Sequence, residues 1–294
     1  MTAEIIDGKV IAANVRQEVA QEVEKLVAAG KRRPGLATVL VGENPASQVY
    51  VSSKQKACGE LGIESFGFKL PATASQTEVE GLVRDLNADP RVDGVLVQLP
   101  LPAGLIEEDV LKTINVEKDV DGFHPINIGR LAQKGRDPLF VPCTPYGCIY
   151  LMKQVGVKLE GANAVVLGRS NIVGMPVALL LVRENATVTI CHSRSKDLPA
   201  ICAAADVLVA AVGRAQMVRG NWVKPGAVVI DVGINRIEDP THPKGSRLVG
   251  DVAFDEVKEV ARAITTVPGG VGPMTIAMLM RNTLRSAKMA QGLE

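Results

Sequence analysis

Neither sign of charge predominates in this 294-residue chain: Lys+Arg 33 stands against Asp+Glu 32, a formal charge of +1. A surface for nucleic acid or anionic lipid works by neutralising many phosphates with uncompensated cations, and that excess is missing. No apolar run reaches the ~18 residues of a membrane span. The opening Met1-Thr-Ala-Glu-Ile-Ile-Asp7 has no basic-then-apolar signal pattern, so a cytoplasmic location is expected. The five cysteines (58, 143, 148, 191 and 202) never fall at Cys-x-x-Cys spacing, and His124, His192 and His242 are scattered. A zinc site needs clustered ligands, so no metal is expected. Repeats and low-complexity stretches are also missing.

What is present is an ordinary soluble composition, 47% hydrophobic and 22% charged. At roughly 100–200 residues per domain the length predicts two domains. Val15, Val19, Val23 and Leu26 lie at helical spacing in a helix over 12–29 that Gly30 ends. Strands at 36–41, 64–69 and 94–98 then alternate with helices at 46–61 and 76–88. Such alternation predicts βαβ units and a mostly parallel sheet. Periodicity fades over 106–142, where Asp, Gly, His, Asn and Pro crowd together; a long irregular stretch of this kind is more often functional than idle. A helix at 145–155 leads to a second alternating series. It begins with the apolar stretch Gly161–Gly168, its further strands lie at 186–191, 206–212 and 227–232, and its helices at 175–185 and near 197–204. Short segments follow at 248–252 and 263–267. After Pro268-Gly-Gly-Val-Gly-Pro273, read as a rigid loop, a long helix over 274–289 is expected to return to the first domain.

Val165-Val-Leu-Gly168-Arg-Ser-Asn-Ile-Val-Gly174 reads as strand, glycine turn and helix start, where free amides and the helix dipole attract a phosphate. Ser170 stands where a Gly-x-Gly-x-x-Gly pattern has its second glycine, and Gly174 falls one place late. Alone, the stretch equally fits a tight turn of any α/β protein. The next strand ends in His192-Ser193-Arg194-Ser195, without the acid that holds a ribose 2′-hydroxyl in NAD sites. Ser193, Arg194 and Arg169 suit a 2′-phosphate, so the pattern leans to NADP.

In the first half, Tyr50 and Lys54 share a helix face at i and i+4 and can meet one ligand, although a solvated lysine fits the same spacing. Gln98 stands at the carboxyl end of a strand, the end where α/β proteins bind ligands. Asp119 and Asp121 put two carboxylates in the irregular segment; Asp121, before Gly122, reads as a ligand hook or as a turn former. The glycines after Pro268 permit close approach of backbone to a ligand, or a plain hinge.

These stretches, with Asp93–Pro102, Lys118–Phe123, Cys143-Thr-Pro145, Val229–Asn235 and Pro268–Thr275, resemble the bifunctional methylenetetrahydrofolate dehydrogenase/methenyltetrahydrofolate cyclohydrolase family over essentially the whole chain. The resemblance implies two α/β domains with parallel sheets and a cleft between them. Residues 1–142, completed by helix 274–294, would form the folate-binding catalytic domain. Residues 143–273 would form a Rossmann-like NADP domain. It implies an oxidoreductase and hydrolase of one-carbon metabolism serving purine biosynthesis, acting on a folate, cytoplasmic and homodimeric, with no nucleic-acid or membrane partner. By the same resemblance Lys54 handles protons, Gln98 is its polar partner, Tyr50 stacks on the folate and Asp121 holds the pterin. Gly168, Arg169, Ser170 and Ser193 would hold the dinucleotide, with Ile234 lining its nicotinamide side. Val97 and Leu99 would flank the folate, and Pro268, Gly269 and Gly270 would close over it.

Tyr-x-x-x-Lys also marks short-chain dehydrogenases, but there the glycine turn comes first, whereas here 50 precedes 168. A shikimate-type dehydrogenase shares the two-domain layout and fits Gln98 and Asp121 poorly. A scaffold that had lost its chemistry would show decay at Tyr50, Lys54, Gln98 or Asp121, and none has decayed.

Overall fold

A strand too short to show a pattern opens the chain: β1 (Glu4–Ile6), followed by α1 (Gly8–Ala28). The computed structural model describes residues 2–243 and 245–294. The Asp7 carboxylate accepts from the amides of Lys9 (2.9 Å) and Val10 (3.2 Å) and so caps α1, whose Val15, Val19, Val23 and Leu26 are buried. Then come β2 (Gly35–Val41), α2 (Pro45–Glu60), β3 (Glu64–Leu70), α3 (Gln76–Ala88) and β4 (Gly94–Val97). Asn44 accepts from the Ser47 amide with Pro45 in the first turn of α2, and Ser75 with Glu78 forms a capping box on α3. Next are α4 (Glu107–Thr113), α5 (Pro125–Leu131) and α6 (Cys143–Gln154). The second series comprises β5 (Asn163–Leu167), α7 (Gly174–Arg183), β6 (Thr187–Cys191), α8 (Leu198–Ala203), β7 (Val207–Ala210) and β8 (Val228–Asp231). β9 (Asn235–Glu238), β10 (Ser246–Val249), α9 (Phe254–Val257), β11 (Ala263–Thr265) and α10 (Val271–Ala290) complete the chain.

Two compact units result. Residues 13–143 with 276–294 form one, and residues 1–12 with 144–275 the other. In the first, β3-β2-β4 is a parallel sheet whose central strand β2 is buried at every residue. Burial on both faces explains its unbroken apolar run. Ala37, Val39, Val95 and Val97 pack with Val79, Val83 and Leu86 of α3. The C-terminal part of α10 is pinned into this unit by polar groups. Asn282 Nδ2 donates to the carbonyls of Val120 (2.8 Å) and Val141 (3.1 Å), and the Ser286 hydroxyl lies 2.7 Å from the Asp93 carbonyl.

The other unit holds a six-stranded parallel sheet in the order β1-β11-β8-β7-β5-β6. The chain leaves β5 for β6 on one side and returns to β7 on the other. The carboxyl ends of β5 and β7 therefore flank the topological switch point, where such sheets bind ligands.

Four features differ from the sequence expectation. Residues 1–12, expected with the first domain, belong to the dinucleotide unit because β1 extends its sheet through β11. The stretch 106–142 holds α4, α5 and a 3-10 turn at Val116–Lys118. Each of its two helices is seven residues long, too short for an apolar period to show. The loop expected over 268–273 is only three residues, since α10 starts at Val271. Pro273 is tolerated there because first-turn amides have no intrahelical acceptor. β9 was not anticipated, and it pairs antiparallel with β10.

Candidate active site

Lys54 is only 6% exposed, although lysine ordinarily keeps its ammonium in water. Its place on α2 is fixed by Val51, Ala57 and Cys58, buried residues of the same helix. Nζ donates to Gln98 Oε1 at 3.0 Å. Gln98 follows the last residue of β4, and its backbone amide still bonds Val39 O at 2.9 Å, so the strand holds its stem. Its Nε2 donates to the Leu99 carbonyl at 2.7 Å. That bond fixes the amide orientation: the nitrogen must face a carbonyl, which leaves the oxygen to accept from the ammonium. Tyr50, one turn before Lys54, is 40% exposed, and partial burial raises its phenol above the ordinary value.

A buried cation needs a counter-charge. Asp121 supplies it: burial pushes its carboxyl up, and the charge of Lys54 pulls it back down. The Cys143 thiol, which donates to the Val120 carbonyl at 3.4 Å, lies close enough to feel the same carboxylate: burial holds it far above its ordinary range, and Asp121's charge adds to the effect. The neighbouring carboxylate has a different task. Asp119, 1% exposed, accepts from the amides of Phe123 (3.1 Å) and His124 (2.8 Å) and from Asn127 Nδ2 (2.7 Å). Asp119 thus builds the turn that leaves Asp121 beside Lys54. Gly122 is required in that turn, with φ +79 and the Pro142 nitrogen 2.5 Å from where a Cβ would stand.

The dinucleotide unit presents a different kind of site. Gly168 follows β5 with φ +122, and a Cβ there would lie 2.1 Å from the Ala211 carbonyl oxygen. A Cβ on Gly174, where α7 starts, would lie 2.3 Å from Gly168 O. Strand end, turn and helix start are therefore packed backbone to backbone at the switch point. This is the cradle that a pyrophosphate group fits. Arg169, Ser193 and Arg194 are exposed around it, and Ile234 is 47% exposed. Ser170, expected among the residues that hold the dinucleotide, also shapes the site: its hydroxyl accepts from the amides of Val173 (3.2 Å) and Gly174 (3.3 Å) and so holds the turn into α7.

Comparison with known proteins agrees with both halves. Residues 6–121 match the family model described as tetrahydrofolate dehydrogenase/cyclohydrolase, catalytic domain, and residues 142–291 its NAD(P)-binding domain. The chain belongs to the tetrahydrofolate dehydrogenase/cyclohydrolase family. It is 60% identical over 291 residues to bifunctional protein FolD 3 of Rhizorhabdus wittichii, covering 99% of this chain and 95% of that protein. It is 59% identical over 293 residues to bifunctional protein FolD of a Bradyrhizobium species, covering 100% and 98%. Among solved structures, methylenetetrahydrofolate dehydrogenase-cyclohydrolase of Trypanosoma brucei, complexed with NADP cofactor and inhibitor, superposes with a TM-score of 0.95 at 42% identity, covering 99% of each chain.

The structure distributes the other expected site residues of this family member unevenly. Val97 is 3% exposed, its side chain packed in the core of the catalytic unit, which leaves only its backbone for a ligand. Leu99 is half-buried. Pro268, Gly269 and Gly270 lie in the dinucleotide unit, where a Cβ on Gly8 would stand 1.8 Å from Gly270 O. Their glycines thus serve contact with the start of α1 as well as loop shape. Sequence reasoning named Cys143 only as part of a motif and missed its place beside Asp121. The one available signal was an apolar-context cysteine opening a helix. Among the described residues no helix is long and apolar enough to cross a membrane.

Proposed function

We propose that the chain oxidises 5,10-methylenetetrahydrofolate with NADP to the methenyl cation and hydrolyses that cation to 10-formyltetrahydrofolate, with Lys54 and Gln98 as the reactive pair. NADP, when bound, takes up the hydride from the substrate's one-carbon methylene. The observation that carries the reading is the buried Lys54–Gln98 pair beside Asp121.

Asp121 holds the pterin edge through its carboxylate, and Tyr50 offers its half-exposed ring for stacking. Hydrolysis of the cation requires water to attack and protons to leave and return, and Lys54 is the group placed for that work. Gln98 fixes the ammonium's direction by accepting from it. Hydride transfer asks mainly for geometry: the reacting carbon must be held at the right distance and angle, with no obligatory base. In the dinucleotide unit the backbone of 168–174 would cradle the pyrophosphate. Arg169, Arg194 and Ser193 would face the 2′-phosphate, and Ile234 would line the nicotinamide. The absence of an acid after Cys191 favours NADP over NAD, since a carboxylate there would repel the phosphate. Family membership supports a cytoplasmic homodimer supplying one-carbon units to purine biosynthesis.

The test is a two-wavelength absorbance assay with methylenetetrahydrofolate, run with NADP and NAD in parallel. NADPH should form together with a methenyl signal that then decays, and NADP should be the more efficient substrate. A reaction without methenyl decay would remove the hydrolase half, and equal efficiency with both dinucleotides would remove the NADP preference.

A further inference from the structure

Two carboxylates in the dinucleotide unit take no part in the chemistry above and are nonetheless buried, Asp231 at 3% and Asp251 at 0% exposure. Their partners are almost all backbone amides, and each reaches into the other's segment. Asp231 ends β8; its Oδ1 accepts from the amides of Gly233 (3.0 Å) and Asp251 (2.9 Å), and its Oδ2 from that of Val252 (2.9 Å). Asp251 Oδ2 accepts from the amides of Val212 (2.6 Å) and Gly213 (2.9 Å), and its Oδ1 from the Arg214 amide (2.8 Å) and from Asn235 Nδ2 (2.9 Å). Each carboxylate also rests on a glycine of the opposite segment. A Cβ on Gly250 would stand 1.7 Å from Asp231 Oδ2, and one on Gly233 would stand 2.3 Å from Asp251 Oδ1.

The segments clasped in this way border the switch point. Val212–Arg214 follows β7, and Ala211 is the residue on which Gly168 closes. Ile234 sits between Gly233, held by Asp231, and Asn235, held by Asp251. We infer that Asp251, supported by Asp231, is a positioning residue for hydride transfer: it sets the 212–214 loop and Ile234 against the nicotinamide half of the dinucleotide. The inference rests on the reading that Ile234 lines that half.

Four donors converge on Asp251, and only an ionised carboxylate offers acceptors on both sides. In Asp251→Asn one oxygen keeps two of the donors while the new NH2 faces the other two, whichever way the amide turns. Residue 251 then loses two of its four donors, one or two of them from the 212–214 loop, with little change in volume. Gly233→Ala attacks the same carboxylate from the opposite side, by steric displacement.

The experiment measures kcat and KM for NADP in the dehydrogenase direction. In parallel it measures cyclohydrolase rate on methenyltetrahydrofolate without dinucleotide, for Asp251→Asn, Gly233→Ala and Ile234→Ala. Both clasp variants should lose about ten- to a hundredfold in kcat/KM for NADP, the scale expected when a reacting group is misplaced by a fraction of an ångström to an ångström. Their cyclohydrolase should proceed at the wild-type rate. A wild-type kcat/KM in Asp251→Asn overturns the proposal. An equal fall in both activities overturns it too, because the residue would then be merely structural. If Ile234→Ala alone leaves the dehydrogenase unaltered, the nicotinamide reading of Ile234 fails, whereas the hold on 212–214 stands or falls with Asp251→Asn.

Discussion

The two units solve the problem of a polar site by opposite means. In the catalytic unit the proposed chemistry rests on side chains: a lysine buried to 6% exposure, an amide that accepts from it, and a carboxylate whose charge the lysine offsets. In the dinucleotide unit the surface proposed for the ligand is backbone, with Gly168 and Gly174 leaving no room for a Cβ. There the buried carboxylates Asp231 and Asp251 are turned inward to hold loops. The difference follows from the tasks. Proton transfer needs a titratable atom at a defined point, whereas binding a pyrophosphate needs a ring of fixed amides, which any exposed side chain would obstruct.

The hardest blow to this division is at Lys54. Lys54→Met keeps length and apolar stem while removing the ammonium, so folate should still dock beside Tyr50. Cyclohydrolase should fall by at least about a hundredfold, the lower end of what general acid–base catalysis supplies. The dehydrogenase should persist, and the methenyl species should accumulate in the time course of its absorbance. Hydrolysis at the wild-type rate would show that Lys54 is a buried bystander and that the contrast between the units is wrongly drawn.

Asp121→Ala should act differently, because both reactions use the same bound folate. Removing a charge-assisted contact costs about 1.5–3 kcal/mol, some ten- to a hundredfold in kcat/KM. Both activities should fall together when assayed on the same preparation. A variant that loses one and keeps the other would show that Asp121 is not the shared anchor.

On the backbone-built side the expected effect is confined to one cofactor. Arg169→Ala should lower kcat/KM for NADP by about tenfold or somewhat more, through loss of a charged contact to the 2′-phosphate, while NAD kinetics stay as they were. An equal change with both dinucleotides would move Arg169 away from the 2′-phosphate.

How far the sequence reveals all this also divides between the units. The βα alternation was legible throughout because strands such as β2 and β8 are buried on both faces and read as apolar runs. β1, α4 and α5 were not, since three to seven residues carry no period. In the site, Tyr50, Lys54 and Gln98 could be picked out as unusual residue types at informative places, and the family resemblance assigned their roles. The split between Asp119 and Asp121 was hidden, because the donors that make Asp119 a turn builder are amides four to eight residues downstream. The Asp231–Asp251 clasp was hidden more deeply. Its donors are backbone groups up to 39 residues away, and backbone groups leave no mark in a sequence. Ser170 carries a local task that its motif does not reveal: its hydroxyl accepts from the first amides around α7, as serine just before a helix often does.

The smallest effect compares the two units through pH. Each buries one carboxyl that is pushed up to about 7, Asp119 in the catalytic unit and Asp231 in the dinucleotide unit. In both, burial is the main cause; hydrogen-bond donors oppose it, and a second aspartate nearby, Asp121 or Asp251, adds to it. An unfolded aspartate has its ordinary value near 3.9. Between that value and about 7 the folded chain therefore holds a proton that the unfolded chain has released. Stability from these groups is complete below the unfolded value and is lost as pH rises through the folded one, at up to about 1.4 kcal/mol per pH unit for each group. Urea midpoints measured from about pH 5 to about pH 8 should accordingly fall. Asp231→Asn and Asp119→Asn should each begin from a lower midpoint, since an amide cannot accept all the donors its carboxylate does, but each should show a shallower decline. If one substitution flattens the profile and the other leaves its slope intact, only one unit carries a protonated aspartate near neutrality. If neither alters the slope, both carboxylates are ionised in the folded chain, and the hydrogen bonds they accept outweigh their burial.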